Sequence, residues 1–127
     1  MNNLTLIIAE AGVNHNGSLD VAKQLVEAAA HAGADAVKFQ AFTADNLVSK
    51  QAPKAEYQTQ TTAKEESQYD MLKRLELDLE AHKELMRLCK ENGIEFLSTP
   101  FDHRSIEVLD SLGLETFKIG SGALTNL

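Results

Sequence analysis

The stretch AVKFQ, Ala36 to Gln40, sets a lysine inside a short run of apolar, β-branched and aromatic residues, and polar residues follow it. Short runs of this composition, bounded by turn signals, read as buried strands. Three more lie along the chain: LTLIIA from Leu4 to Ala9, Ile94 to Leu97, and Glu115 to Ile119. Helical spacing fills the intervals. Ser18 can N-cap a helix that runs to about Ala32, with Val21, Leu25, Ala28 and Ala32 on one face and Gly33 placed to end it. Two further helical segments are expected at about Ser67 to Leu75 and Glu80 to Glu91, the second lined by Leu85 and Leu88 and stopped by Asn92-Gly93. Ser98-Thr99-Pro100 ends the third strand, and Asp102 or Ser105 can cap a last helix through Leu112, closed by Gly113. The order is β-α-β-α-β-α-β, which means an α/β fold with four parallel strands and right-handed helical crossovers. The polar stretch from Thr43 to Glu66 is too long for an ordinary connection, so it is a functional loop or partly helical.

Composition narrows the function. The 127 residues are 43% hydrophobic and 24% charged, with 12 Lys+Arg against 19 Asp+Glu for a net charge of −7. That balance argues against nucleic-acid binding, which needs a basic stripe. No apolar run reaches the ~18–20 residues needed to cross a bilayer, and no secretory signal pattern opens the chain. A single cysteine, Cys89, excludes an internal disulfide framework and a cysteine-rich zinc site. The expectation is a reducing, cytoplasmic compartment, where acceptor patterns for N-glycosylation at Asn3 and Asn16 are chance.

Polar residues gather at the carboxyl ends of the four proposed strands: Glu10, then Lys38 and Gln40, then Ser98 and Thr99, then Lys118 and Ser121. In parallel α/β folds that edge is where ligands bind, because loops converge there and helix N-termini aim their dipoles at it. Burying a lysine without a partner is costly. Lys38 and Lys118 therefore point either to a bound phosphate or carboxylate, or to pairing with a neighbouring acid or an edge-strand position. The Gly120-Ser121-Gly122 turn offers free backbone N–H groups to a phosphate, or is simply a tight turn. His15 in the NHNG turn reads as a hydrogen-bonding loop residue, and Cys89 as a packed thiol. His31, His82 and His103 read as surface residues without metal-ligand spacing.

The segments IAEAGVNHNGS (8–18), AGADAVKFQAF (32–42), AEYQ (55–58), STPFD (98–102) and KIGSGALTNL (118–127) together resemble the N-terminal part of sialic acid synthases. That family includes N-acetylneuraminate synthase and legionaminate synthase. The resemblance is collinear and covers nearly the whole chain. It implies a TIM (β/α)8 barrel of which residues 1–127 form the first half, since a complete barrel takes about 200–250 residues. The implied reaction joins phosphoenolpyruvate to an N-acetyl hexosamine such as N-acetylmannosamine and releases phosphate. A divalent metal, manganese, polarises the sugar aldehyde in that chemistry. By resemblance, Lys38, Lys118, Ser121 and Thr99 hold phosphoenolpyruvate, Gln40 lies near the sugar, and Glu10 is the acidic residue at the reacting centre. The implied manganese ligands, the later barrel strands and a C-terminal antifreeze-like domain fall beyond Leu127, so the metal has no expected ligand within this sequence.

One departure stands out. Ala123 occupies the position where the family pattern has an acidic residue, so a carboxylate near the intermediate is missing. A half barrel would also leave a strand edge unpaired. The expectations are therefore a transferase fold that is inactive alone and associates as a homo-oligomer. The rival is a non-catalytic half-barrel module that binds or self-assembles.

Overall fold

The computed structural model describes residues 5–47 and 67–124. The AEYQ element and most of the long polar stretch lie outside the described residues. Strand β1 spans Ile8–Gly12, helix α1 Leu19–His31, strand β2 Ala36–Ala41, and the single turn α2 Ala44–Leu47. Helix α3 follows at Gln68–Leu75, α4 at Leu79–Glu91, strand β3 at Glu95–Pro100 and α5 at His103–Ser111, with a 3-10 turn at Ser121–Ala123. The strands form one parallel sheet in the order β1-β2-β3, so each crossover connects immediate neighbours.

The helix starts follow local chemistry. Ser18, Ser67, Asp78 and Asp102 cap the four longer helices, each side chain accepting from the backbone N–H three residues on. Gly33, Gly93 and Gly113 follow the ends of α1, α4 and α5 in the left-handed region, where glycine carries no steric cost. The face of α1 differs from the expected one. Ala22, Val26 and Ala29 are buried, whereas Val21 is 37% exposed and Leu25 only partly covered. The same i, i+4, i+7 spacing recurs one residue round the helix, and there it offers small alanines that let α1 approach the sheet closely.

The start of β1 and the end of β3 also differ. Leu4 lies outside the described residues, and Leu6 and Ile7 are exposed rather than paired. The Ile7 carbonyl instead accepts from the N–H groups of Asp35 and Ala36, while the Ile7 N–H donates to Asp35 Oδ2 at 2.7 Å. This clamp delays the ladder until Ile8. At its far end β3 runs through Ser98-Thr99-Pro100 instead of stopping before them, because Phe39, Gln40 and Ala41 of β2 supply register partners for all three.

The expected fourth strand does not form. From Glu115 to Ile119 there is one isolated parallel bridge, Ser98 to Phe117, with a long 3.5 Å bond from the Lys118 N–H to the Ser98 carbonyl. Only Phe117 packs against the core, and Ile119 is 53% exposed. A strand anchored at one point, on one side, lacks the cross-strand pairs that stabilise a ladder. The described sheet is therefore three-stranded.

Period-2 alternation divides the sheet into two faces. Val37 and Phe39 of β2 with Phe96 of β3 join Ala22, Val26, Leu85, Cys89 and Leu109 from the helices in one core. Lys38 and Gln40, in register with Leu97 and Thr99, occupy the opposite face.

Candidate functional site

A bulge in β1 shapes the site. Register advances from Glu10↔Lys38 to Gly12↔Phe39, so Ala11 is the extra residue and its side chain is buried in the core. Gly12 adopts φ +54, and a Cβ there would stand 3.0 Å from Glu10 Oε1 and 3.6 Å from Gln40 Nε2. The bare backbone at Gly12 thus lets the Glu10 carboxylate and the Gln40 amide gather over it.

Lys38 is the centre of this cluster. Its Nζ lies 2.7 Å from Glu10 Oε2 and donates to Thr99 Oγ1 at 3.3 Å. The two partners of the ion pair are unequal: the Lys38 side chain is 11% exposed and that of Glu10 53%. Pairing with a neighbouring acid, one of the two readings of a lysine in this run, is therefore realised. Two of the three ammonium donors are thereby assigned among the described residues.

The structure brings Glu10, Lys38, Gln40 and Thr99 onto one sheet face at the carboxyl ends of the strands. Lys118 and Ser121 fall differently. Both are exposed, so the cost of burial gives Lys118 no reason to hold an anion. Their segment nevertheless runs past the same edge, because a Cβ on Gly120 would lie 3.9 Å from Thr99 Cγ2. Ala123 lines a groove of about 660 Å³ with Pro100, Phe101, Ile106 and Ile119, whose Phe101, Ile106 and Ile119 are 44%, 43% and 53% exposed.

Asp102 fastens the loops around this edge. Its Oδ1 accepts from the Ser105 N–H at 2.8 Å, capping α5, and its Oδ2 accepts from the Thr43 N–H at 2.9 Å. Burial alone would raise the carboxyl, yet the Ser105 and Thr43 N–H groups and the Ser105 hydroxyl hold it below the usual aspartate value. One residue thereby joins the segment after β2 to that after β3.

The helix-facing side holds polar residues as well. His15 is fully buried and its Nδ1 accepts from the Gly17 N–H at 2.9 Å, as expected of a hydrogen-bonding loop residue. His82 corrects the surface reading: it is 2% exposed, with Nδ1 against the Asp78 carbonyl at 2.9 Å. Spacing carried that signal, because His82, Leu85 and Cys89 share a face at i, i+3 and i+7. Cys89 is a packed thiol, its pKa pushed up to about 12 by burial. Ser98, grouped in the sequence with the ligand edge, turns its side chain to this core side beside Phe39. A cavity of about 400 Å³ borders His82, with Lys73, Glu76 and Arg104 on its walls. Its charges are mixed, and Lys73 is tied to Glu76 at 2.9 Å.

Among the described residues no group of three or more His, Cys, Asp or Glu could hold a metal ion. No described helix is long and apolar enough to cross a membrane.

Comparison with known proteins bears on the fold and the family. The chain is 61% identical over 97% of its length to N,N'-diacetyllegionaminic acid synthase of Campylobacter jejuni, of which it covers 37%. It is 57% identical over 95% of its length to the enzyme of that name from Legionella pneumophila, of which it covers 34%. The crystal structure of N-acetylneuraminic acid (sialic acid) synthetase from Leptospira borgpetersenii in complex with citrate superposes with a TM-score of 0.78 at 32% identity, covering 98% of this chain and 39% of that one. The chain thus spans about a third of the length of the curated relatives it matches. The NeuB family model matches residues 25–127, and with these relatives it establishes that the chain belongs to the NeuB family.

Proposed function

We propose that the chain supplies the phosphoenolpyruvate-binding edge of a sialic-acid-type synthase, a C–C bond-forming transferase, as the first half of a TIM barrel. The observation that carries this reading is Lys38, a nearly buried ammonium held between Glu10 and Thr99 on the sheet face away from the helices. Sequential neighbour order, β1-β2-β3, is what the opening strands of a barrel require. The 61% and 57% identical relatives favour an N-acetylated sugar that leads to legionaminic rather than N-acetylneuraminic acid.

In this reading the Lys38 ammonium binds a phosphate or carboxylate oxygen of phosphoenolpyruvate, with Thr99 fixing the ammonium's direction. Lys118 and Ser121 reach the anion from the open side of the pocket once a ligand draws their segment inward. Gln40 donates to the sugar. C3 of the enolpyruvate attacks the sugar aldehyde carbon, water adds at C2, and the tetrahedral carbon expels phosphate. Glu10, half exposed and already paired with Lys38, would take the proton from the water that adds at C2. A divalent metal would supply Lewis-acid polarisation of the aldehyde, but the described residues do not fit it, so its ligands belong elsewhere in the full enzyme. Cytoplasmic location and a homo-oligomeric state complete the proposal.

Isothermal titration with phosphoenolpyruvate tests the reading. Binding to the wild type that is lost in Lys38→Ala and weakened in Lys118→Ala is expected. Undiminished binding in Lys38→Ala would overturn the assignment of the anion site. No binding to a folded wild type would favour the non-catalytic half-barrel module, whose motivation is the apolar surface of Leu6, Ile7 and Ile8 beside the edge of β1 that no described strand covers. Turnover with manganese, phosphoenolpyruvate and N-acetylmannosamine then tests whether the chain is inactive alone.

A further inference from the structure

The two ends of the Lys38–Glu10 pair are held very differently. Lys38 belongs to the central strand, in register with Glu10 on one side and Leu97 on the other, and its side chain is 11% exposed. Thr99 Oγ1 accepts from its Nζ at 3.3 Å, so β3 holds the ammonium independently of Glu10. Glu10 sits on β1 immediately before the bulge, with a side chain 53% exposed, and its Oε2 lies 2.7 Å from Nζ. Its other oxygen rests over the bare backbone of Gly12, where a Cβ would stand 3.0 Å from Oε1. The sheet fixes the ammonium, and the carboxylate is the partner able to leave.

Any anion that comes to Lys38 meets a carboxylate already on it. One ammonium carries one positive charge, and two anions within about 4–6 Å of each other disfavour one another's charged form. The newcomer either shares the lysine with Glu10 against that repulsion or takes the place of Glu10. Exposure decides between the two. A half-exposed carboxylate recovers its hydration when it swings away, whereas a nearly buried ammonium needs an anionic partner to stay where it is.

We infer that Glu10 is an internal competitor for the anion site: an incoming phosphate or carboxylate oxygen replaces the Glu10 carboxylate on Lys38, while Thr99 keeps the ammonium in place. This rests on the anion-binding role proposed for Lys38. The exchange also governs when Glu10 can react. While Oε2 lies against the ammonium, that oxygen is committed; once displaced, it is free to take the proton of the water that adds at C2. The empty site thus holds its own base idle, and arrival of the substrate anion releases it. The competition has a measurable size. If the paired form makes up about nine-tenths of the unliganded protein, removing it tightens apparent anion affinity about tenfold.

Isothermal titration of the full chain with inorganic phosphate, pyruvate and phosphoenolpyruvate reads the competition. Glu10→Gln keeps the length and polarity of the side chain and removes its charge. Phosphoenolpyruvate should bind this variant about tenfold more tightly than the wild type. Phosphate should follow it if the phosphoryl group takes the place of Glu10, and pyruvate if the carboxylate does. Equal or weaker binding of all three in Glu10→Gln, with binding still lost in Lys38→Ala, would overturn the competition and leave the anion site standing. Phosphoenolpyruvate binding that is absent, or indifferent to Lys38→Ala, would overturn both. A second measurement does not depend on Glu10→Gln folding. Carbon-13 NMR on glutamate-labelled wild type follows the Glu10 carboxyl carbon, assigned through its own backbone. On saturation with phosphoenolpyruvate this resonance should move to the position it holds in Lys38→Met, where the pair is absent. A resonance that stays put in the complex would show that Glu10 remains on Lys38 and would rule out the exchange.

Discussion

Lys38 Nζ stands 2.7 Å from Glu10 Oε2 across the Glu10↔Lys38 register pair of β1 and β2, but water reaches the two partners unequally. Glu10, 53% exposed, can rehydrate if its partner is lost, whereas Lys38, 11% exposed, cannot. Glu10→Gln should therefore cost about 1–2 kcal/mol, less than the loss of a fully buried partner because half of the pair is screened. Lys38→Met should cost under about 1 kcal/mol, since it removes a charge that was expensive to bury. Urea unfolding of the two variants checks the order. Inorganic phosphate should raise the Tm of Glu10→Gln more than that of the wild type, and leave Lys38→Met unmoved.

Asp102 carries a double duty that a helix cap alone does not. Its carboxylate accepts from the Ser105 N–H at the start of α5 and from the Thr43 N–H after β2. Capping residues are individually worth about 1 kcal/mol. Asp102→Ala should cost about 2 kcal/mol, because a second backbone donor in a half-buried position is orphaned with the first. Asp102→Asn should keep most of the geometry and lose about half of that. Hydrogen exchange at the Thr43 and Ser105 amides separates the two contributions: both should speed up in Asp102→Ala, and protection at Thr43 unchanged would refute the link.

Gly17 is constrained by a neighbour from the far side of the long connection. It adopts φ +80, and a Cβ there would come within 2.0 Å of the Arg74 carbonyl oxygen near the end of α3. That approach is backbone on backbone, so no side chain can yield. Gly17→Ala should destabilise by about 2–4 kcal/mol, combining left-handed strain with the clash. Gly93→Ala is the control: its φ of +65 gives the strain, but nothing lies within 4 Å of the added methyl. A loss at Gly17 no larger than at Gly93 would mean that the α3 contact does not constrain the NHNG turn.

Sequence reading reached the elements wherever the signal is local. Caps at Ser18 and Asp102, glycine stops and the lysine-bearing β2 run all act within a few residues, and each lies where spacing placed it. What escaped depends on partners far along the chain. Local composition could not tell that Glu115 to Ile119 would gain a single bridge, since a strand exists only where a second strand meets it. The buried face of α1 was ambiguous by one residue because alanines filled both candidate faces. At the candidate site, the gathering of Lys38, Glu10, Thr99 and Gln40 at one sheet edge was legible from their place at strand ends. The exposure of Lys118 was not, because it follows from the missing ladder. His82 was misplaced through its polarity, although its spacing with Leu85 and Cys89 marked it as internal.

The two buried histidines make stability depend on pH in a definite direction. Burial lowers the pKa of each below the ordinary 6.5, with the nearby His82 adding to the effect at His15, while the Asp78 carbonyl partly opposes it at His82. The unfolded chain, with ordinary histidines, takes up protons near pH 6.5 before the folded chain does. Stability is therefore full above about pH 6.5 and declines as the pH falls from there toward the lowered folded-state values. Asp102 has the same sign but a lower window, since its depressed carboxyl begins to matter only below its ordinary 3.8. Urea unfolding at pH 7.5, 6.5, 5.5 and 5.0 isolates the histidine window. The wild type should lose stability progressively across the last three points. His82→Gln, which keeps an uncharged hydrogen-bonding side chain, should show a shallower decline relative to its own value at pH 7.5. A slope equal to that of the wild type would show that His82 does not titrate with folding.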